Sequence, residues 1–184
     1  FRAVPNMTVI CPADANETVE AVKAIAEMDG PCYIRLNRND YPNVTIEGEP
    51  FQIGEPKIIK EGSDIVVFAM GYMVGLALEA AKELEETISV KVVNVPTIKP
   101  LNQTAIRAAA KDCKAVVTAE EHNIKGGLGS AIAEALCKER KPIEFVGIED
   151  TFGCSAHNYQ ELLAYFGLTA EHIKEAVIKM NQYK

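Results

Sequence analysis

Apolar positions along the chain recur with two different periods. Short runs that are continuously or alternately apolar predict strands at 7–12, 32 to about 37, 56–62, 64–71, 89–95, 115–122 and 143–150. Between them, apolar residues spaced three and four apart predict helices over 13–30, 74–86, 102–113, 127–140, 159–166 and 169–182. The first helix has Asp14 or Asn16 as its cap, a stripe of Val19, Val22, Ile25 and Ala26, and Gly30 as its stop. Asn158 or His157 precedes the fifth helix, and Thr169 caps the sixth. Short apolar strands alternating with amphipathic helices belong to a mostly parallel sheet covered on both faces. Right-handed crossovers make this a doubly wound, three-layer α/β/α sandwich.

One stretch breaks the alternation. "NRNDYPNVTIEGEPFQIGEP" (37–56) carries three prolines, two glycines and no sustained period. A structureless run of about twenty residues is long for a connection inside one compact domain. It reads as an interdomain linker with its boundary between Glu49 and Phe51. Residues 51–184 then form the sandwich, and residues 1–50 are a partial β-α-β unit, the end of a separate domain.

Composition narrows the function classes. Of 184 residues, 48% are apolar, enough for a packed core and against disorder. A net charge of −7 argues against nucleic acid or an anionic membrane surface as partner. Any phosphate must be caught locally, against the overall field. No run approaches the ~18 continuous apolar residues of a membrane helix. Five scattered cysteines without a Cys-x-x-Cys pair predict a reduced, intracellular protein. Neither they nor His122, His157 and His172 have the spacing of a zinc set. The chain opens at Phe1 and reads like the middle of a protein entered abruptly.

Ligands of doubly wound sheets sit at the carboxyl ends of strands, so candidate chemistry is sought there. In "CYIRLNRNDYP" (32–42), Cys32, Ile34 and Leu36 share one strand phase and Arg38 continues it. A guanidinium at that end suits a phosphate bidentately, or it is merely solvated or paired with Asp40. Arg35 points to the opposite face. In "EEHNIKGGLGS" (120–130), Gly126, Gly127 and Gly129 bring bare amides to a helix start, as an anion site needs. Ile132 stands where a dinucleotide fingerprint needs its third glycine, so a tight turn with close helix packing is the better reading. Glu120 and Glu121 end the preceding strand on opposite faces and cannot share a proton; one faces an interface or caps the next loop. Cys154, Ser155 and His157 crowd one loop, but nothing supplies the third, orienting group of a nucleophilic site.

Several stretches resemble the transketolase family. "FRAVPNMTVICPADANET" and "GPCYIRLNR" are similar to the end of its pyrimidine-binding domain. "EGSDIVVFAMGYMVGLALEAAKEL", "VVNVPTIKPLN", "TAEEHNIKGGLGSAIAEAL" and "DTFGCSAHNYQELLAYFGLTAEHI" are similar to its carboxy-terminal domain. The resemblance implies thiamine-diphosphate-dependent transfer of a two-carbon ketol unit between sugar phosphates, with a divalent cation, Mg or Ca, in the full enzyme. It implies a cytoplasmic enzyme that is a homodimer. It also implies that cofactor and metal ligands lie upstream, in an N-terminal portion or subunit, so that this chain alone binds no cofactor and is inactive. Arg38 matches the arginine that the family uses on the donor sugar's phosphate. Arg35 matches one found in deoxyxylulose-phosphate synthases, and is secondary. The region of Glu120, Glu121, Gly126, Gly127 and Gly129 matches one that relatives use between subunits. Alternatives on the same fold are a non-catalytic dimerisation or regulatory module, a deoxyxylulose-phosphate synthase, or a 2-oxo-acid dehydrogenase beta subunit.

Overall fold

The main sheet of the computed structural model, which describes residues 1–183, is built from five strands. In chain order, the first unit supplies β1 (Thr8–Ile10), α1 (Ala15–Ala26) and β2 (Cys32–Ile34). The sandwich supplies β3 (Lys57–Lys60), β4 (Ile65–Ala69), α2 (Met73–Glu83), β5 (Val90–Asn94), β6 (Thr97–Lys99) and α3 (Gln103–Ala110). It is completed by β7 (Ala115–Asn123), α4 (Leu128–Ala135), β8 (Ile143–Ile148), α5 (Tyr159–Tyr165) and α6 (Ala170–Asn181). The five-stranded order is β3-β5-β4-β7-β8, parallel throughout except for the antiparallel edge strand β3. This is the mixed α/β sandwich that the alternation predicts.

The central strand β4 shows why the pattern works. All five of its residues are inaccessible to solvent, and they alternate between two cores. Ile65, Val67 and Ala69 meet Met73, Ala77, Ile173 and Val177 of α2 and α6. Val66 and Phe68 meet Ile106, Leu128 and Ile132 of α3 and α4. Asn158 and Thr169 cap α5 and α6 through their side chains, as their positions suggested.

A second, three-stranded sheet has the order β2-β1-β6. β1 and β2 are parallel, whereas β6 comes from the sandwich and pairs antiparallel with β1. The sequence gives no hint of β6, because three residues after Pro96 are too few to show a period. The same brevity leaves α1 little to pack against. Of its apolar residues only Ala21 is buried, while Val19 and Val22 are 53% and 46% exposed. Three-residue strands offer too little surface to cover a twelve-residue helix.

Residues 35–56 hold no helix or strand, yet they are tied down. Asp14, the cap of α1, accepts from Glu17 N at 2.9 Å and also from Val44 N, Thr45 N and Thr45 Oγ1 at 2.6–2.7 Å. Asn16 adds a bond to the Thr45 carbonyl. At the other end, Arg2 pairs with Glu134 of α4 and donates to the Gly126 carbonyl. The first unit is therefore tied to its own linker, and to the sandwich through β6 and Arg2.

Candidate functional site

The carboxyl ends of β1, β2, β4 and β7 converge on one crevice. It has a volume of about 170 Å³ and is lined by Cys11 and Pro12 after β1, by Arg35 to Arg38 after β2, by Gly71 and Tyr72 after β4, and by Glu121. Strand ends from both units thus meet where doubly wound sheets take their ligands. Gly71 makes the approach feasible. Its φ of +57° lies in the left-handed region, and a side-chain carbon there would stand 2.8 Å from Cys11 Sγ. α2 starts beside it at Met73 without a side-chain cap, so the positive end of its dipole lies on this side of the crevice.

The two arginines have different duties. Arg38 is exposed at the rim, and its guanidinium has no hydrogen-bond or ion-pair partner among the described residues. Arg35 is half-buried, and Nη1 donates to the backbone carbonyl of Glu121 at 2.5 Å. Burial opposes its charge, but Cys11 and Glu121 nearby outweigh this and hold its pKa above the ordinary value. The Cys11 thiol is pushed up by burial, and Arg35 offsets only part of that rise. A strand face does not separate the two arginines. β2 ends at Ile34, so the phase argument cannot be extended to Leu36 and Arg38, and Leu36 is 54% exposed. Beyond the strand, the irregular backbone turns Arg35 and Arg38 toward the same crevice.

Around Arg38 lies a polar cluster that the sequence does not reveal. Asn37 Nδ2 donates to the Tyr159 hydroxyl at 2.7 Å and to Glu121 Oε2 at 3.2 Å. The Tyr159 hydroxyl donates to Glu121 Oε1 at 2.8 Å. Burial raises the Tyr159 phenol, and the neighbouring Glu121 carboxylate raises it further against the effect of Asn37, so it remains a donor at neutral pH. Tyr72 packs edge-on to both Tyr159 and Tyr41. The partners are 84 and 122 residues apart, beyond the reach of any spacing rule.

The glycine-rich turn does hold an anion, and the anion is internal. Glu120 is solvent-inaccessible and accepts from Leu128 N and Gly129 N, both at 2.8 Å, at the start of α4. Burial raises its pKa, and the two amides pull it back in part. A side-chain carbon at Gly127 would run into this carboxylate. Gly126 donates to Ser130 Oγ at 2.9 Å. Of the two readings offered for the acid pair, Glu120 caps the following loop. Cys154, Ser155 and His157 lie exposed on the loop before α5, outside the crevice.

Comparison with known proteins identifies the architecture. The family model for the transketolase C-terminal domain matches residues 54–173, and that for the transketolase pyrimidine binding domain matches residues 1–44. The chain belongs to the transketolase family. It is 40% identical over 185 residues to a transketolase-family C-terminal section of Methanocaldococcus jannaschii, covering 97% of this chain and 57% of that protein. It is 39% identical to a 6-deoxy-6-sulfo-D-fructose transketolase subunit of Clostridium sp. (strain MSTE9), covering 100% of this chain and 58% of that subunit. A solved structure described as a split gene transketolase, inactive beta4 tetramer, superposes with a TM-score of 0.94 at 44% identity, covering all of this chain and 60% of that one. The chain thus spans less than two thirds of the length of these relatives.

Proposed function

We propose that this chain is the carboxy-terminal part of a split transketolase subunit, and that Arg38 holds the phosphate of the donor sugar. The single observation that carries the reading is the unpartnered guanidinium of Arg38 at the rim of a crevice made by strand ends of both units. Every other charged group lining that crevice is engaged within the chain: Arg35 by the Glu121 carbonyl, and Glu121 by Asn37 and Tyr159. A planar fork without an internal partner is suited to a phosphate dianion, which it can bind through two parallel, charge-assisted bonds.

Transketolases depend on thiamine diphosphate, which supplies the carbanion chemistry when bound. We infer that the ligands of its diphosphate and metal are not in this chain. Among the described residues no three His, Cys, Asp or Glu side chains stand together as a metal site. The acids closest to the unit junction are already engaged, Asp14 by four donors and Glu17 by Ala13 N and Asn94 Nδ2. We assign those ligands to the upstream portion or subunit. The exposed Val19 and Val22 of α1 support a missing neighbour on that side. The inactive beta tetramer among its relatives supports the expectation that this chain, without that neighbour, does not turn over. We keep the domain boundary at Glu49 to Phe51, a homodimeric assembly of the complete enzyme and a cytoplasmic setting as parts of the same proposal.

The test uses the complete enzyme and a pair of ketose donors, one phosphorylated and one not. Arg38→Ala should raise KM for the phosphorylated donor by roughly 30- to 150-fold, the equivalent of about 2–3 kcal/mol for a charge-assisted contact. KM for the unphosphorylated donor should not move. Equal losses on both donors would exclude Arg38 as the phosphate anchor.

A further inference from the structure

We infer that Asn37, Glu121 and Tyr159 are positioning residues for Arg38, through which the sandwich sets where the phosphate-binding guanidinium stands. The inference rests on the reading of Arg38 as a phosphate anchor. The Arg38 side chain makes no bond among the described residues, so its place is set by the residues on either side. Asn37 Oδ1 accepts from Asn39 N at 3.1 Å, closing a small turn around Arg38. The amide nitrogen of the same Asn37 side chain is held by Glu121 and Tyr159. One side chain therefore fixes the local turn and fastens it to the sandwich.

Both fastening groups are themselves rigidly placed. Glu121 follows Glu120, whose carboxylate is locked on the start of α4, and successive strand residues face opposite ways. The Glu121 side chain is thereby directed away from that turn and toward the first unit, and Arg35 grips its backbone carbonyl. Tyr159 opens α5, directly after the Asn158 cap, which accepts from Glu161 N at 2.9 Å. The Tyr159 ring packs on Tyr72, and Tyr72 packs on Tyr41, three residues beyond Arg38. The loop bearing Arg38 is thus tethered on both sides by residues of the sandwich. A guanidinium presented in this way loses less freedom when it takes up a phosphate, which is how a preorganised site gains affinity.

Tyr159→Phe in the complete enzyme is the direct test, since it deletes one hydroxyl and keeps the edge-packed ring. KM for the phosphorylated donor should rise about fivefold, within the range of coupling between contacting groups, with kcat and the unphosphorylated donor unaffected. In an Arg38→Ala background the same change should add nothing. Deuterium exchange of peptides spanning residues 36–41 should speed up in Tyr159→Phe, because the Asn37 side chain that accepts from the Asn39 amide loses one of its two tethers. Equal effects on both donors, a full additional effect in the Arg38→Ala background, or unaltered exchange would each overturn the inference. If Arg38→Ala itself shows no preference for phosphate, the anchor reading fails, and the exchange measurement still decides whether Tyr159 positions this turn.

Discussion

The turn from β7 into α4 and the turn out of β2 both bring positive potential to a strand end, but only the first comes with its anion. At the start of α4, bare amides in a glycine-rich turn close on the Glu120 carboxylate, buried out of solvent. After β2, the Arg38 guanidinium stands at a crevice rim with no partner among the described residues. The glycine motif looked more like a phosphate site than the arginine did, and it is the one already filled. What separates them is whether the fold itself supplies the missing charge. A third strand end sides with the first: after β1, Asp14 is buried and accepts four bonds, one from the first turn of α1 and three from the linker.

The largest effect should come from emptying the filled site. Glu120→Ala leaves Leu128 N and Gly129 N buried without an acceptor and opens a void beside them. The cost should be about 3 kcal/mol or more, read as a lower midpoint in urea unfolding. Glu120→Gln keeps one oxygen and should cost less. If Glu120→Ala were as stable as the parent, the carboxylate would not be what the turn is built around.

A smaller effect is expected at Asp14, and it carries a pH signature. Burial alone would raise this carboxyl, but its four donors win and hold it below the usual carboxylate range. A group whose folded pKa is depressed stabilises the fold above its unfolded value, near pH 4, and that stabilisation fades as pH falls through the lower folded value. Asp14→Asn, which keeps one acceptor oxygen, should cost about 1–2 kcal/mol at pH 7. Urea midpoints of parent and variant should converge as pH falls below about 4. A constant gap across that range would mean that the charge of Asp14 contributes nothing.

How much of this was legible in the sequence depended on the distance of the partners. The main sheet and its helices were readable because period and capping are local: Thr169 and Asn158 cap where their positions suggest, and β4 is apolar on both faces because both are covered. β6 escaped notice because three residues carry no period, and its pairing partner lies nearly ninety residues earlier. The apolar stripe on α1 was legible, but its exposure was not, since a sequence pattern does not say whether a covering layer is present. Arg38 was found from a strand-end argument whose premise, a strand reaching residue 37, does not hold. It lies in the crevice because the chain turns after Ile34, and the resemblance to transketolases pointed to it independently. The cluster of Asn37, Glu121 and Tyr159 left no trace, because it joins three segments that only the folded chain brings together.

The smallest effect, and the sharpest test of the comparison, is Arg38→Ala measured as stability. A guanidinium without an internal partner should be removable within about ±0.5 kcal/mol, unlike Glu120 or Asp14. The contrast should reverse when an anion is offered to the complete enzyme. A sugar phosphate at about ten times its Kd should stabilise the parent by about 1.4 kcal/mol, through binding to the folded state alone. At that concentration the Arg38→Ala enzyme, with its weaker affinity, should gain almost nothing. Were Arg38→Ala to lose 1 kcal/mol or more without ligand, the guanidinium would have a partner inside the fold, and the two strand ends would no longer differ in kind. Unchanged ligand stabilisation in the variant would point the same way, since the crevice would then draw its phosphate affinity from some other group, with the start of α2 the first to examine.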